Sequence, residues 1–277
     1  MDNIAGLCLF LITLYTSYRG LQDTVYFSKY AFRIDRIQVH KEYKRLITSG
    51  FLHADWMHLI FNMIAMYSFA GGLESLLGIP KLLLVYFGSL ICGNLLSLYI
   101  HRNNSAYTAI GASGAVSGLV YASIALFPGI ELSLLFLPVF IPGWAFGLLY
   151  TAYTIYGIRS KRDNIGHEAH LGGGLTGMII GLILYPDALL LNMLPILVIL
   201  IPSLIFLYFV FTRPEFLITG TLKPKTSGTY TIDDRYHTIR RNDEKELDRL
   251  LEKIHKTGME SLSKPEREKL EKLSGKS

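Results

Sequence analysis

Seven apolar stretches, most of them close to 20 residues long, constrain this 277-residue chain more than any other feature. A helix that rises 1.5 Å per residue needs roughly 20 apolar residues to cross the hydrocarbon core of a bilayer. The sequence therefore predicts an all-α fold, a polytopic membrane helix bundle in contact with the lipid bilayer. The predicted spans cover about 4–18, 52–69, 81–100, 108–127, 141–158, 167–185 and 189–211.

Charge separates this apolar body from a polar tail. Residues 212–277 carry 27 of the 49 charged residues, although they make up less than a quarter of the chain. Cations and anions alternate in the tail, which is typical of solvated helix surfaces and does not indicate a nucleic-acid partner. The mean hydropathy of +0.34 excludes an ordinary soluble domain. Two cysteines in apolar runs, Cys8 and Cys92, exclude a disulfide framework.

The tail itself is predicted to hold two short helices. Residues 212–241 read as a polar linker and residues 242–277 as a helical hairpin. The first helix, over 242–256, ends near Gly258 and presents an apolar face with helical spacing: Leu247, Leu250, Leu251 and Ile254. Ser263 and Glu266 form a Ser-x-x-Glu capping box that opens the second helix, which carries Leu270 and Leu273.

A few polar residues inside the predicted spans point to chemistry, because such groups are costly in a membrane and usually face a cavity. They are His58 and Asn62 in the second span, Ser113 in the fourth and His170 in the sixth. These three spans cross in the same direction. His58, Ser113 and His170 lie about three to six residues from the span starts, so we expect them at a similar depth, roughly 5–9 Å below one surface. Asn62 is four residues after His58 and shares its helix face.

This set of side chains favours acyl transfer by a serine nucleophile. A serine hydroxyl needs a base to take its proton, and His170 is the candidate base for Ser113. His58, Asn62 and the backbone N–H of Ser113 are candidate donors to an oxyanion. The spans hold no Asp or Glu placed to orient the base, so we expect a dyad.

Glycines predict that the fourth and sixth spans approach closely. Gly114 and Gly118 share one face of the fourth span, while Gly173, Gly177 and Gly181 share one face of the sixth. Small residues at four-residue spacing allow helix backbones to pack closely in lipid. The alternative reading is packing without chemistry.

Three motifs in order resemble those of the rhomboid family of intramembrane serine proteases, over about residues 1–186. They are His53-x4-His58-x3-Asn62, Gly111-Ala112-Ser113-Gly114, and Ala169-His170-Leu171-Gly172-Gly173 continuing to Gly177. The resemblance implies a six-span catalytic core over 1–188 and an additional span over 189–211. It also implies hydrolysis of peptide bonds in or near transmembrane segments of single-span or polytopic membrane proteins, without a cofactor or metal. A bacterial inner membrane is the expected location.

The resemblance also assigns roles to residues. Ser113 and His170 become the catalytic pair, and His58, Asn62, Ser113 and Gly111 support the oxyanion. Supporting positions are Gly114, Gly173, Gly177, His53, Arg45 and Glu74, with Glu74 and Gly78 expected after the second helix. Two positions depart from the family pattern. Lys44 replaces a tryptophan before the loop arginine. Ser117 replaces an aromatic residue that stacks on the base, so Tyr121 is a candidate substitute.

Several alternatives stay open at this point. We expect His53 to anchor a loop, His167 to be an exposed histidine near a helix cap, and Glu168 to lie at the membrane interface. The basic residues of 19–51 are expected to contact lipid headgroups. The same histidines suit a metal site less well, because their spacing differs from His-Glu-x-x-His. A catalytically silent protein that binds transmembrane helices is the other alternative.

Two arguments about orientation disagree. Many relatives place the catalytic side away from the cytoplasm. However, the loops on that side hold 11 of the 12 Lys and Arg residues of 1–211, which favours the cytoplasm. The sequence does not indicate which side the tail faces or the oligomeric state.

Overall fold

The structure, a computed structural model, describes residues 3–133, 140–160, 163, 165–213, 246, 249–254 and 258–274. The chain consists of two compact units, residues 1–225 and residues 226–277. In the first unit each of the seven predicted spans contains one long helix. The long helices are α1 (Ile4–Gln22), α5 (Trp56–Leu77), α6 (Ile79–Ile100), α7 (Ser113–Leu126), α8 (Gly143–Ser160), α9 (His167–Leu184) and α11 (Met193–Thr212).

Shorter elements connect these helices. They are α2 (Thr24–Tyr30), α3 (Ile34–Gln38), α4 (Arg45–Thr48), a 3₁₀ turn (Ser49–Phe51), α10 (Ala188–Leu191), and strands β1 (Phe32–Arg33), β2 (Thr108–Ala109), β3 (Glu131–Ser133) and β4 (Phe140–Pro142). β1 pairs antiparallel with β2, and β3 with β4. The β1–β2 pair ties the first loop to the segment that leads into α7, where Ser113 lies.

Among the residues that the structure describes, four helices are long and apolar enough to cross a membrane: α1, α5, α6 and α11. The helices α8 and α9 have 18 residues each, and α7 has 14. At 1.5 Å per residue α7 is about 21 Å long, shorter than a hydrocarbon core of about 30 Å. Every residue of α7 after Ser113 is buried, so α7 is the central helix of the bundle.

The structure corrects several predicted boundaries. The second span begins four residues later than predicted, at Trp56, because Asp55 caps it by accepting from the N–H of His58. The fourth begins at Ser113 instead of 108, since residues 108–109 form β2. The last span is broken at Asn192, whose side-chain amide donates to the carbonyl of Ala125 at 3.2 Å.

These shifts change the predicted depths. His58, Ser113 and His170 are the third, first and fourth residues of their helices, so all three lie in the first turn. His58 and Ser113 lie nearer the helix starts than predicted, whereas His170 keeps its predicted position. A common depth below the membrane surface stays a prediction.

The second unit contains a 3₁₀ turn (Met259–Ser261), the helix α12 (Lys264–Ser274) and helical residues at 249–254. Leu250, Leu262 and Leu270 form its core, with Ile254 packed against them. Leu251 was predicted on this face but is exposed. Leu247, the side chain of Leu273 and nearly all of the predicted linker over 212–241 lie outside the described residues.

The predicted ends of these tail helices agree with the structure. Gly258 has a φ of +82°, and its N–H donates to the carbonyl of Ile254 at 2.8 Å. The Glu266 carboxylate accepts from the backbone N–H and from the hydroxyl of Ser263, both at 2.9 Å. That is the reciprocal bond expected of a capping box.

Candidate active site

The segment before α7 is held so that Ser113 opens the helix. Gly111 has a φ of +121°, which favours glycine, and its N–H donates to the carbonyl of Ser49 at 3.0 Å. Gly111 was predicted to support the oxyanion. Because its N–H is bonded to Ser49, what the structure shows is its contribution to the backbone conformation of this segment, and the oxyanion role stays a prediction.

His53 anchors the same segment. The hydroxyl of Ser17 donates to the carbonyl of Phe51 at 2.8 Å and lies 2.8 Å from His53 Nδ1. Since the hydroxyl has one proton, Nδ1–H is the donor in the second bond, and Nε2 is left as an acceptor. The N–H of Ala112 donates to that Nε2 at 3.4 Å. These contacts are those of a loop anchor, in agreement with the first reading of this buried histidine.

Ser113 and His170 come together. The hydroxyl oxygen of Ser113 lies 2.7 Å from Nε2 of His170, which is within hydrogen-bond distance. Ser113 is half-buried and His170 is buried. A serine and a histidine in this contact have the arrangement of a nucleophile and its base.

Glycine contacts between α7 and α9 make this short distance possible. A Cβ placed on Gly173 would collide with the carbonyl group of Gly114, and one on Gly177 with the carbonyl group of Gly118. The predicted close approach of these two helices is therefore confirmed. Neither Gly173 nor Gly177 can be replaced by a larger residue without a shift of backbone.

His58 and Asn62 also lie near Ser113. The position that a Cβ on Gly111 would occupy is 3.0 Å from His58 Nε2 and 3.5 Å from Ser113 Oγ, so the ring and the hydroxyl border the same small space. The side-chain amide of Asn62 donates to the carbonyl of His58 at 2.9 Å. His58 also meets the ring of His53 edge to face, with centroids 4.8 Å apart.

A cavity of about 890 Å³ opens beside the serine. Its polar lining includes Asn62, Ser113 and Ser117, whereas most of its wall is apolar. The wall is formed by α5, α7, α8 and the segment around β3 and β4. A cavity of this size and composition accommodates an apolar peptide segment and keeps a few polar groups for orientation.

An aromatic residue that the sequence reading did not find packs on His170. The ring of Tyr150, on α8, is stacked on the His170 ring with centroids 6.1 Å apart and an interplanar angle of 21°. Tyr121 was the expected substitute. Its hydroxyl instead lies 2.7 Å from that of Thr151, and its ring meets the edge of Tyr150. Tyr150 is 20 residues before His170, so no local spacing reveals this contact.

The neighbours of His170 are buried, and the expectation that His167 is exposed is wrong. His167 is buried at 1% exposure instead of lying exposed near the cap, and its Nε2 lies 3.1 Å from a carboxylate oxygen of Asp163. Glu168 is buried at 5% exposure and lies 2.9 Å from Nε2 of His101. Both side chains pair with groups of neighbouring loops, because α9 begins inside the bundle.

These pairings also weaken the metal alternative. His53 Nδ1, His167 Nε2 and Oε1 of Glu168 already bond Ser17, Asp163 and His101, respectively. Within the part of the chain that the structure describes, no group of three His, Cys, Asp or Glu side chains is placed to hold a metal ion.

Arg45 is a structural residue of the first loop and not a headgroup contact. It is 4% exposed, and its guanidinium donates to Glu42 at 2.6 Å and to the carbonyls of Ser28 and Ala31 at 2.8 and 2.7 Å. The preceding Lys44 is exposed. The first loop therefore folds around the guanidinium of Arg45.

Glu74 lies within α5, not after it, and Gly78 ends that helix. The buried Glu74 carboxylate accepts from the N–H groups of Ile4, Ala5 and Gly6 at 2.9, 3.0 and 3.4 Å. It thus caps the start of α1, where a negative charge is favourable.

Known proteins resemble this chain over the region that holds the candidate site. The family model described as "Rhomboid domain" matches residues 40–187, more than half of the chain. The chain belongs to the rhomboid family. This rhomboid protein is thus an integral membrane protein of a family that consists mainly of intramembrane serine proteases and includes inactive members. A second model, "Family of unknown function (DUF6576)", matches residues 230–276.

Individual relatives carry the same family name. The chain is 46% identical over 88 residues to "Putative rhomboid protease YdcA" of Bacillus subtilis, which covers 31% of this chain and 43% of the relative. It is 32% identical over 139 residues to "Rhomboid protein 1, mitochondrial" of Saccharomyces cerevisiae, and the match covers 49% of this chain and 40% of the relative. The human "Presenilin-associated rhomboid-like protein, mitochondrial" is 30% identical over 143 residues, and the match covers 48% of this chain and 36% of the relative. The chain spans less than half the length of these relatives.

Proposed function

We propose that this rhomboid protein is a serine endopeptidase that cleaves membrane proteins in or near their transmembrane segments. The observation that carries the proposal is the 2.7 Å contact between Ser113 Oγ and His170 Nε2 beside a largely apolar cavity. A nucleophile and a base within hydrogen-bond distance, open to a pocket, are the geometric requirements for this chemistry.

The reaction follows from that contact. The Ser113 hydroxyl donates to His170 Nε2, which takes the proton as Oγ attacks the carbonyl carbon of the substrate. The tetrahedral intermediate collapses when His170 passes the proton to the leaving amine, and an acyl ester remains on Ser113. Water then attacks the ester, and His170 accepts a proton from this water. The second intermediate releases the acid and returns the proton to Ser113.

The negative oxygen of each intermediate needs donors. The N–H of Ser113 belongs to the first turn of α7, where amides have no acceptor within the helix. His58 Nε2 borders the same space as Ser113 Oγ, and Asn62 lines the adjoining cavity. We assign these three groups to the oxyanion, with a loss of about 10²–10³ in rate expected on removal of one donor.

The cavity indicates the kind of substrate. Its apolar wall on α5 and α8 suits a hydrophobic peptide segment, while the serine near its polar end needs access to water. A protease within the bilayer encounters other membrane proteins, so we propose single-span and polytopic membrane proteins as its substrates. The proposed location is a bacterial cell (inner) membrane; the Bacillus subtilis relative is in keeping with a bacterial protein, whereas the yeast and human relatives are named mitochondrial. We retain the predicted division into a catalytic core over 1–188, an added span, a linker and a hairpin tail.

Labelling by a fluorophosphonate probe tests the proposal without a known substrate. The parent protein in detergent, Ser113→Ala and His170→Ala are compared, with Ser123→Ala as the control. Ser123 is a serine of the same helix that also lines the cavity. We expect labelling of the parent and of the control, and none of Ser113→Ala or His170→Ala. An unlabelled but folded parent would favour a silent protein that binds transmembrane helices, and labelling of Ser113→Ala would overturn the assignment of the nucleophile.

A further inference from the structure

The base His170 lacks the polar contact that usually orients a catalytic histidine. Its Nε2 faces Ser113, while its Nδ1 is buried and has no hydrogen-bond partner among the described residues. The second ring nitrogen ordinarily fixes the tautomer and the plane of the imidazole through a carboxylate or a carbonyl. Because that bond is missing from the described contacts, packing against the faces and edges of the ring must hold it.

Two rings supply this packing. His167 meets His170 at an angle of 71° with centroids 5.9 Å apart. Tyr150 lies almost parallel to His170 and is also stacked on Phe146, at 5.9 Å and 19°. A nearly parallel neighbour restricts rotation of the imidazole out of its plane more directly than an edge contact does. Aromatic contacts of this type contribute beyond their buried area.

Tyr150 is in turn fixed from α7. Its hydroxyl lies 2.9 Å from the hydroxyl of Ser117, which is 2% exposed and one helical turn after Ser113. The contact therefore links the helix that carries the nucleophile to the ring that packs on the base. A large residue at position 117 would occupy the space that the Tyr150 hydroxyl now fills.

We propose that Tyr150 is a positioning residue for His170, and that Ser117 holds the Tyr150 ring in the stacked orientation. The inference rests on the proposed serine protease function. It assigns the orientation of the base to a contact between α7 and α8. The departure from the family pattern at Ser117 is then matched by an aromatic ring supplied by another helix.

The test must separate positioning from a role as cavity wall, because Ser117 and Tyr150 both line the cavity. We would measure the labelling rate of Ser113 with two fluorophosphonates that carry a short and a long alkyl chain. The variants are Tyr150→Leu, Tyr150→Phe, Ser117→Ala and the double variant Ser117→Ala/Tyr150→Phe. Tyr121→Phe is the matched control, because it removes another hydroxyl contact between α7 and α8 and keeps its ring.

We expect Tyr150→Leu to slow labelling by both probes about tenfold and by the same factor, because it removes the stacked ring. Tyr150→Phe keeps the ring, so we expect a loss of about threefold, equal to that of Ser117→Ala. The double variant should be no slower than either single variant, since both delete the same bond. Tyr121→Phe should label within about twofold of the parent.

Three results would overturn the proposal. Tyr150→Leu that labels at the parental rate would show that the ring does not orient His170. Slowing with one probe only would make Tyr150 a wall of the cavity. Equal slowing by Tyr121→Phe and Tyr150→Phe would assign the effect to general contact between the helices. A parent that does not label would instead contradict the proposed function, so the two failures are distinct.

Discussion

Ser113 Oγ and His170 Nε2 are separated by 2.7 Å, although the two residues are 57 positions apart in the chain. Both residues occupy the first turns of their helices, and the two helices are in backbone contact where Gly114 faces Gly173. The reacting distance is thus set by helix packing and by the shape of the segments that precede each helix. The predictions below change these supports one at a time.

Gly173→Ala should separate α7 from α9. The added Cβ collides with the backbone of Gly114, and overpacking typically costs about 1–3 kcal/mol. We expect a lower thermal midpoint in detergent and at least about tenfold slower labelling of Ser113, because His170 moves with its helix. Gly166→Ala is the control, since its Cβ meets nothing closer than 3.9 Å. Parental labelling by Gly173→Ala would contradict the close helix contact.

Gly111→Ala should impair the site through both backbone strain and a clash. The φ of +121° disfavours a side chain, and the new Cβ would lie 2.9 Å from the His58 ring. Strain of this type costs about 1–3 kcal/mol. Gly129→Ala has a similarly positive φ, +74°, but no atom within 4 Å of its Cβ. We expect both variants to lose stability and only Gly111→Ala to lose labelling. Equal labelling of the two would exclude a role of this contact in the site.

Glu74→Gln should loosen the start of α1 without changing the chemistry. The substitution removes a buried negative charge that accepts from three amides, which we expect to lower the free energy of unfolding by about 1–3 kcal/mol. Thermal unfolding in detergent measures this, with the exposed Ser75→Ala as control. Glu74 is 16 residues from His58, about 24 Å along α5. Labelling per folded molecule should therefore match the parent, and a selective loss of labelling would assign Glu74 a part in the site.

The tail should lose helix in acid. A hydrogen bond from Lys253, with others from Ser263, lowers the pKa of Glu266 to about 2. A carboxyl whose folded pKa lies below its unfolded value of about 4.3 stabilises the fold above that pH and loses the contribution as pH falls toward 2. Circular dichroism of residues 226–277 expressed alone should show this transition.

The expected effect of Glu266→Gln is a less helical tail at pH 7 with a weaker pH response. The exposed Glu260→Gln should keep the parental response. A fragment that is unfolded at pH 7 would contradict the division of the chain at the tail.

Most of the helices could be predicted from the sequence, because membrane spans and helix caps depend on local sequence. Apolar length is a direct requirement of the bilayer, and the seven predicted spans are helices. The capping box at Ser263 and the terminal glycine at 258 also follow from local geometry. The fourth span was predicted to begin five residues too early. Residues 108–112 carry no charge and so extend the apolar run, but Thr108 and Ala109 form a strand that pairs with β1.

The environment of the residues around His170 could not be predicted from the sequence. His167 and Glu168 were expected near water, but α9 begins inside the bundle, so both side chains are buried and bonded to other segments. Tyr121 has the right spacing to compensate for Ser117, whereas Tyr150 makes the contact from another helix. Burial and ring stacking between helices depend on how the helices pack, and no spacing along one helix contains that information.

By itself the sequence determined the membrane helices, the polar residues placed in them and the glycine faces that allow close packing, because these follow from hydrophobicity and helical periodicity. Only the tertiary structure decided which groups meet. It brought Ser113 within 2.7 Å of His170, used the Gly111 N–H for loop anchoring, and placed Tyr150 on the base. The physical reason is that contacts within a few ångströms depend on helix rotation and translation, which the packing of the whole bundle sets.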